Sequence, residues 1–150
     1  MQISSRFTMA VQVLTCIEVL KEEMPLNSET IAGSVGVNPV MIRNLFRQLK
    51  KAGLIRVQRG GSGGVELARP IDQISLLDVY RAVDSVEDGT LFRFHENPNA
   101  NCPVGRNIHY VMDGRLAEIQ NTMEQKMQGM SLKDVIADTE QCIDKQRAGA

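Results

Sequence analysis

Residues 38–70 have the sequence NPVMIRNLFRQLKKAGLIRVQRGGSGGVELARP. Asn38 followed by Pro39 is typical of a helix start, because an asparagine side chain caps free backbone amides and proline fits the first helical position. Gly53 is expected to end this helix. Apolar residues recur in between at three-to-four spacing and predict one buried face: Ile42, Leu45, Leu49 and Ala52.

A β-hairpin is predicted directly after this helix. Residues 54–57 (LIRV) and 65–67 (VEL) have the composition of strands, and residues 59–64 between them contain four glycines. A glycine-rich loop can also cradle phosphate, but such a loop leads from a strand into a helix and carries Gly-Lys-Ser/Thr. This loop has neither feature, so the hairpin is interpreted as a wing.

A shorter helix is predicted just before residue 38. Ser28 is expected to cap it and Gly36 to end it. Ala32 is small where two crossing helices approach, Gly36 fits a turn that needs a positive φ, and Ile42 follows as a core residue. Two short helices joined in this way predict a helix-turn-helix.

Two further helices flank this unit. The first is expected to start at Ser4 or Ser5 and to end at Pro25. The other lies in residues 74–84, where Ser75 and Asp78 have the spacing of a capping box. The apolar stripe of the first helix consists of Phe7, Ala10, Val11, Leu14, Ile17 and Leu20.

The longest helix is predicted over residues 104–128, with Gly129 as its cap. Residues 87–103 before it have no periodicity and are rich in Asn and Pro, which indicates a loop. After it, Ser131 is expected to start a short helix, with residues 144–150 frayed. A small winged domain cannot cover so long an apolar stripe, so pairing with the same helix of a second copy is predicted. The stripe consists of Ile108, Met112, Leu116, Ile119, Met123 and Met127.

The predicted fold is mainly α with a small β-hairpin wing. Residues 1–86 would form a winged helix-turn-helix domain and residues 87–103 a linker or sensor loop. Residues 104–128 would form the dimerisation helix, and residues 129–150 a short C-terminal helix and tail. With 150 residues, 43% of them hydrophobic, the chain can bury a core of its own.

Charge and cysteine content narrow the function classes. Residues 1–70 contain nine Lys or Arg and five Asp or Glu, a net charge of +4, whereas residues 71–150 carry −5. A basic N-terminal half favours a polyanionic partner. Cys16, Cys102 and Cys142 are odd in number and far apart, no export signal or long apolar run is present, and a reduced cytoplasmic protein is expected. We find no nucleophile–base pair or carboxylate pair, so an enzyme is not expected.

Residues 1 to about 138 resemble the Rrf2 family of bacterial winged-helix regulators. The segments that carry the resemblance are SSRFTMAVQVL, NPVMIRNLFRQLKKAGLI, QRGGSGGVELARP, ISLLDVYRAVD and CPVG. The resemblance implies a homodimeric transcription factor, usually a repressor, on a near-palindromic operator in double-stranded DNA. Several members hold an iron–sulfur cluster on three closely spaced cysteines. Between residues 85 and 112 this chain has only Cys102, so it resembles the cluster-free branch with a single CPVG cysteine, and no cofactor is expected.

In a winged helix-turn-helix the second helix enters the major groove. Arg43 can then pair with guanine and Asn44 with adenine. Relatives often carry an acidic residue in place of Arg43, so the operator bases cannot be copied from them. Lys50 is expected on phosphate, and Arg59 at the wing tip is expected in the minor groove. The full set of expected DNA contacts is Ser28, Thr30, Asn38, Pro39, Val40, Met41, Arg43, Asn44, Arg47, Lys51, Arg59, Gly60 and Ser62.

Cys102 precedes Pro103 at the start of the long helix, where free amides and the helix dipole lower a thiol pKa. This position predicts either a redox-sensitive thiol or an inert, partly buried one. Cys16 is a second redox candidate, as a disulfide partner across a dimer, or a buried core residue. His95 and His109 flank Cys102 at seven residues each, but this spacing matches no compact ligand motif, and no metal site is predicted.

Two other functions stay open at this point. The chain could respond to a small-molecule effector bound between the wing domain and the long helix. It could also be an interaction module that has kept the fold without binding DNA. The basic residues between 43 and 59 argue against the second, because a surface that no longer binds DNA should have lost them.

Overall fold

A computed structural model describes residues 4–60, 64–83 and 87–150 of the chain. The described part is mostly helical with one two-stranded antiparallel sheet, which confirms the predicted fold class. Short 3-10 turns lie at Ile71–Gln73 and Glu87–Gly89. The main elements, in chain order, are α1 (Arg6–Val19), α2 (Ser28–Val35), α3 (Pro39–Lys51), β1 (Ile55–Val57), β2 (Val65–Leu67), α4 (Leu76–Ala82), α5 (Pro103–Gln128) and α6 (Leu132–Ala148).

Helix α1 packs in the core. Its N-cap is Ser5, as the predicted start requires, but its C-terminal end differs from the prediction. It ends at Val19, before the expected stop at Pro25, and the chain then turns over residues 20–24. Ser5 occupies the cap position but makes no side-chain cap bond, while Ser4 Oγ accepts a hydrogen bond from the Arg6 amide at 3.2 Å. The buried residues of α1 are Ala10, Val13, Leu14, Cys16 and Ile17.

The cap of α2 is Asn27, so the expectation of Ser28 is wrong. Asn27 has an extended backbone, and its side-chain oxygen accepts from the amides of Glu29 and Thr30, both at 3.0 Å. The Thr30 hydroxyl accepts from the Asn27 amide at 3.1 Å and completes a capping box. Ser28 is thereby the first residue inside the helix, and its hydroxyl is left for other partners.

The turn between α2 and α3 forms as predicted. Gly36 has φ 76°, a left-handed conformation that favours glycine, and Asn38 caps α3 through the Val40 amide at 2.8 Å. Ile42 and Leu49 are fully buried. The predicted face is wrong at Ala52, which lies exposed at the C-cap, and Phe46 is buried instead. Ala52 is the C-cap residue, and the chain turns away directly after it at Gly53, which has φ 73°.

The hairpin is an antiparallel pair in which Ile55 faces Leu67 and Arg56 faces Glu66. It packs on the helical domain through the buried side chain of Ile55 and through the Val65 amide, which donates to the Leu26 carbonyl at 3.2 Å. The hairpin is therefore fixed against the core and against the segment that leads into α2.

Helix α6 returns to the winged domain and is longer than predicted. Two matching capping boxes, Ser75 with Asp78 and Ser131 with Asp134, meet where a short β-bridge joins the starts of α4 and α6. Leu132 and Ile136 are buried against the core, and the helix extends through Ala148, so the expected short helix with a frayed tail is wrong. Packing against α1 stabilises this polar helix. Sequence periodicity alone did not predict how far the helix extends.

Candidate nucleic-acid interface

Helix α3 is buried on one face and presents polar and basic side chains on the other. Its exposed residues begin at Asn38 and include two apolar side chains, Val40 (52% exposed) and Met41 (43% exposed). Pro39 lies beside them and is half-buried. The Asn38 side-chain oxygen is used in the cap, which leaves its amide nitrogen as a donor.

Arg43 crosses from α3 to the start of α2. Its Nη1 donates to Ser28 Oγ at 3.4 Å and lies 3.5 Å from Glu29 Oε1. Ser28 and Arg43, both predicted contacts, are thus brought together. Sequence reasoning missed Glu29, and an acid at the first turn of the first helix of the predicted pair could have drawn attention to it.

Further along α3, Arg47 donates through Nη2 to the side-chain oxygen of Asn44. These two predicted residues line one cavity of about 490 Å³ together with Arg6, at the start of α1. Arg6 was also missed. It is a single basic residue at the start of a helix that the sequence placed in the core, so no pattern pointed to the surface. Lys50 and Lys51 lie exposed in the last turn of α3.

Thr30 lies at the same end of α2 as Ser28, but its hydroxyl is engaged. The hydroxyl donates to the Pro25 carbonyl at 2.9 Å and also lies 3.2 Å from the Asn27 carbonyl. A hydroxyl has one hydrogen to donate. While the cap is intact, Thr30 has no hydrogen left for a phosphate.

The hairpin carries Arg59 and Gly60 exposed at its tip. The last described ladder bond runs from the Gln58 amide to the Gly64 carbonyl at 2.9 Å. Gly60 has φ 122°, which other residues rarely adopt. The predicted contact Ser62 lies outside the described residues.

Cys102 occupies the N-cap position of α5 and is partly exposed. The backbone amides of Gly105 and Val104, in that order, face its sulfur and lower the pKa of the thiol, although no formal cap hydrogen bond is made. The Cys102 amide donates to the Asn99 carbonyl at 3.1 Å, which ties the preceding loop to the helix start. A thiol with free amides in front of it is stabilised as thiolate, the reactive form.

The other two cysteines lie elsewhere. Cys16 is buried between α1 and α2, with its sulfur 3.3 Å from Ser34 Oγ, and Cys142 is exposed on α6. All three thiols are free. The packing of Cys16 corresponds to the core alternative of the sequence analysis.

The histidines near Cys102 form an aromatic stack. The ring of Phe94 lies 3.9 Å from that of His109 and 4.9 Å from that of His95, and His109 Nδ1 is 3.4 Å from Asp113. Within residues 4–60, 64–83 and 87–150, His, Cys, Asp and Glu form no group of three that could hold a metal ion. The three cysteines, on α1, α5 and α6, do not fit a site for an iron–sulfur cluster.

Helix α5 has 26 residues, all described, and none of them is buried. Of the predicted interface stripe, Ile119 is 50% exposed and the others are half-buried. Val104 (69%), Val111 (43%) and Tyr110 (91%) are more exposed than most of the stripe. In the part of the chain that the structure describes, no helix is long and apolar enough to cross a membrane.

Comparisons with known proteins cover nearly the whole chain. The Rrf2 family, described as "Iron-dependent Transcriptional regulator", matches residues 3–138. YwnA of Bacillus subtilis (strain 168), named as an HTH-type transcriptional regulator, is 41% identical over 134 residues, which cover 89% of this chain and 96% of YwnA.

Two solved structures are similar as well. One, described as a DNA-binding protein, is 35% identical with a TM-score of 0.67, covering 88% of this chain and 99% of that one. The oxidized form of Staphylococcus aureus CymR has a TM-score of 0.65 at 20% identity, covering 91% and 96%, and at this identity the similarity shows the fold alone. With a basic helix-turn-helix face, a hairpin wing and a family match over residues 3–138, the chain belongs to the Rrf2 family of DNA-binding transcriptional regulators and is not an enzyme.

Proposed function

We propose that this regulator is a homodimeric repressor that binds a near-palindromic operator, with α3 in the major groove and the hairpin tip in the adjacent minor groove. The observation that carries the proposal is the division of α3. Ile42, Leu45 and Leu49 anchor one face in the core, so that the opposite face is presented on a rigid support.

Base reading is assigned to the first half of α3. Arg43 would donate to guanine and Asn44 would pair with adenine, while Val40 and Met41, both exposed, would pack on thymine methyl groups. Asn44 must first release its oxygen from Arg47, which then becomes available for a phosphate. Arg6 lines the same cavity and is added here as a phosphate contact.

Dimerisation is assigned to α5. A two-fold axis that pairs two α5 helices would bury the apolar side chains that one chain leaves open, above all Ile119 and Val111. Two recognition helices would then be spaced by the dimer, which is why the operator is expected to be near-palindromic.

Control is assigned to the Cys102 thiolate. It would attack a peroxide, forming a sulfenic acid on Cys102 while the peroxide is reduced to water or an alcohol. The sulfenic acid no longer has the full negative charge that the Gly105 and Val104 amides stabilise, so the loop before α5 would rearrange and change the spacing of the recognition helices. The CymR structure is of an oxidized form, so one protein with this fold has been studied in that state.

The test is a binding titration. Duplexes are first selected from a random library with the reduced protein, and their affinity is then measured with reduced protein, with peroxide-treated protein and with Cys102→Ser. We expect peroxide to weaken binding by wild type but not by Cys102→Ser, with Cys142→Ser as the matched control that still responds. Failure to select any sequence would contradict the DNA-binding assignment. Equal binding before and after peroxide would show that Cys102 does not regulate DNA binding. A small-molecule effector would then be the next candidate for the signal.

The hairpin is tested with Arg59→Ala. The variant is expected to bind the selected duplex more weakly and to lower the salt slope by about 1, as for the loss of one phosphate-neutralising charge. Arg56→Ala is the control, because Arg56 is paired across the hairpin with Glu66 at 3.4 Å. Unchanged affinity of Arg59→Ala at two salt concentrations would place the hairpin outside the interface.

A further inference from the structure

Glu29 is an acidic side chain on the surface that the proposed function turns toward DNA. Residues 38–60 contain six Lys or Arg and no Asp or Glu. Glu29 lies in the first turn of α2, where a carboxylate is favoured by the free amides of the helix start. Its side chain is 70% exposed and reaches across to Arg43 on α3.

The contact leaves most of the guanidinium available. Nη1 of Arg43 contacts both Ser28 Oγ, at 3.4 Å, and Glu29 Oε1, at 3.5 Å. Among the described residues, Nη2 and Nε of Arg43 have no partner. A guanidinium has five N–H donors, and recognition of guanine O6 and N7 uses two of them. Arg43 is thus held at one corner while a pair of donors remains free.

We propose that Glu29 is a positioning residue that determines specificity, and the inference rests on the proposed DNA binding by α3. The carboxylate holds Arg43 in the orientation in which its free donors meet a guanine. It also repels phosphate from the start of α2, which would otherwise compete for the same guanidinium. Without Glu29, Arg43 becomes a general phosphate contact.

A purely structural role of Glu29 predicts a different result. An exposed ion pair contributes little to folding stability. If Glu29 only pairs with Arg43 in the free protein, its removal changes neither the choice of sequence nor the number of phosphates contacted. Specificity and salt dependence therefore separate the two roles, whereas stability does not.

The experiment uses the full chain, a duplex selected by wild type, and a scrambled duplex of equal length and composition. Binding is measured by fluorescence anisotropy at several salt concentrations for wild type, Glu29→Gln and Glu23→Gln. Glu23 is the matched control, because it forms an exposed pair of 3.7 Å with Arg147 on another helix, so the same charge is removed.

For Glu29→Gln we expect tighter binding to the scrambled duplex and weaker binding to the selected one. The specificity ratio, which is the affinity for the selected duplex divided by that for the scrambled duplex, should fall by about 10-fold. This fall is within the range for loss of one base-specific arginine contact. The salt slope on the scrambled duplex should become steeper by up to about 0.9, the value for one further neutralised phosphate. Glu23→Gln should leave the ratio within twofold of wild type.

The variant Arg43→Gln tests whether Glu29 affects specificity through Arg43. If Glu29 acts through Arg43, the double variant Glu29→Gln/Arg43→Gln has the same ratio as Arg43→Gln alone. The inference is overturned if Glu29→Gln keeps the wild-type ratio, or if it lowers the ratio equally when Arg43 is absent. A wild type that selects no sequence would overturn the proposed function, and with it the inference. A wild type that selects while Glu29→Gln is unaffected would overturn the inference alone.

Discussion

Helices α1 and α5 use their apolar residues in opposite ways. Helix α1 has 14 residues, of which five are buried in the core that it shares with α2, α3, α4 and α6. Helix α5 has 26 residues and buries none of them. The winged domain therefore completes its core within one chain, whereas α5 has an apolar surface that one chain leaves uncovered.

Polar contacts hold the second half of α5 in place. Arg81 on α4 forms an ion pair with Glu124 at 2.7 Å, and Gln120 donates to the Gly89 carbonyl at 2.7 Å and accepts from the Leu91 amide at 3.1 Å. Gln120 first, and then Arg81, lowers the pKa of Glu124 and keeps it ionised. These directional contacts fix the second half of α5 against α4 and against the loop at residues 89–91.

The largest expected effect lies in the core of the winged domain. Leu49 on α3 is fully buried, so Leu49→Ala should remove about 3 kcal/mol from the free energy of unfolding. Urea denaturation measures this loss. Met127→Ala on the half-buried side of α5 is the comparison, and an equal loss there would contradict the contrast between the two regions.

The next effect concerns association. Ile119→Glu places a charge in the proposed α5 interface, and we expect the dimer dissociation constant to rise by roughly 100-fold, or about 2.7 kcal/mol. Sedimentation velocity measures it, with the helical content unchanged. Tyr110→Glu is the matched control: Tyr110 is 91% exposed and nine residues away, which is the opposite side of the helix. If the dimer persists in Ile119→Glu but dissociates in Tyr110→Glu, the interface lies on the opposite face of α5, the one that carries Tyr110.

A smaller effect is expected where the loop meets α5. A Cβ at Gly105 would collide with the Asn99 carbonyl and lie 3.1 Å from the Asn99 nitrogen, so Gly105→Ala should displace the loop at a cost of about 1–2 kcal/mol. Gly114→Ala, in the middle of the same helix with open space around it, should instead stabilise by about 0.5–1 kcal/mol. The two variants are compared by their thermal unfolding and by the hydrogen exchange of residues 97–103. Equal effects would mean that the loop does not depend on this contact.

The smallest effect is the pH dependence of Cys102. Because the pKa of its thiol is lowered in the folded state, the thiolate form persists to lower pH than in the unfolded chain. The stabilisation is complete above the unfolded pKa and is lost as the pH falls through the folded pKa. Iodoacetamide labelling, quantified for the Cys102 peptide by mass spectrometry, should therefore reach its half-maximal rate at lower pH in native protein than in urea. Coincident curves would show that the helix start does not activate the thiol.

The local features predictable from sequence are those that depend on neighbouring residues. The cap at Asn38, the left-handed turn at Gly36 and the capping box of Ser75 with Asp78 were predicted correctly, because each is set within a few positions along the chain. The cap of α2 was assigned one residue too late, since Asn27 and Ser28 are both good caps and only the entry direction of the chain decides between them.

The site was predictable in outline but not in its pairing. The polar face of α3 follows from helical periodicity, so residues from Asn38 to Lys51 were identified. Arg6 and Glu29 were missed, because their relevance depends on α1 and α2 lying next to α3 and not on any pattern in their own segments.

The sequence by itself determined the winged helix-turn-helix, the long apolar helix and the family, because periodicity, turn residues and motif spacing are written along the chain. Only the tertiary structure decided that α6 packs on α1, that Arg43 is held by Glu29, and that Arg6 lies beside α3. These features are contacts between elements distant in sequence. They depend on how helices are oriented in space, which no local spacing of residues specifies.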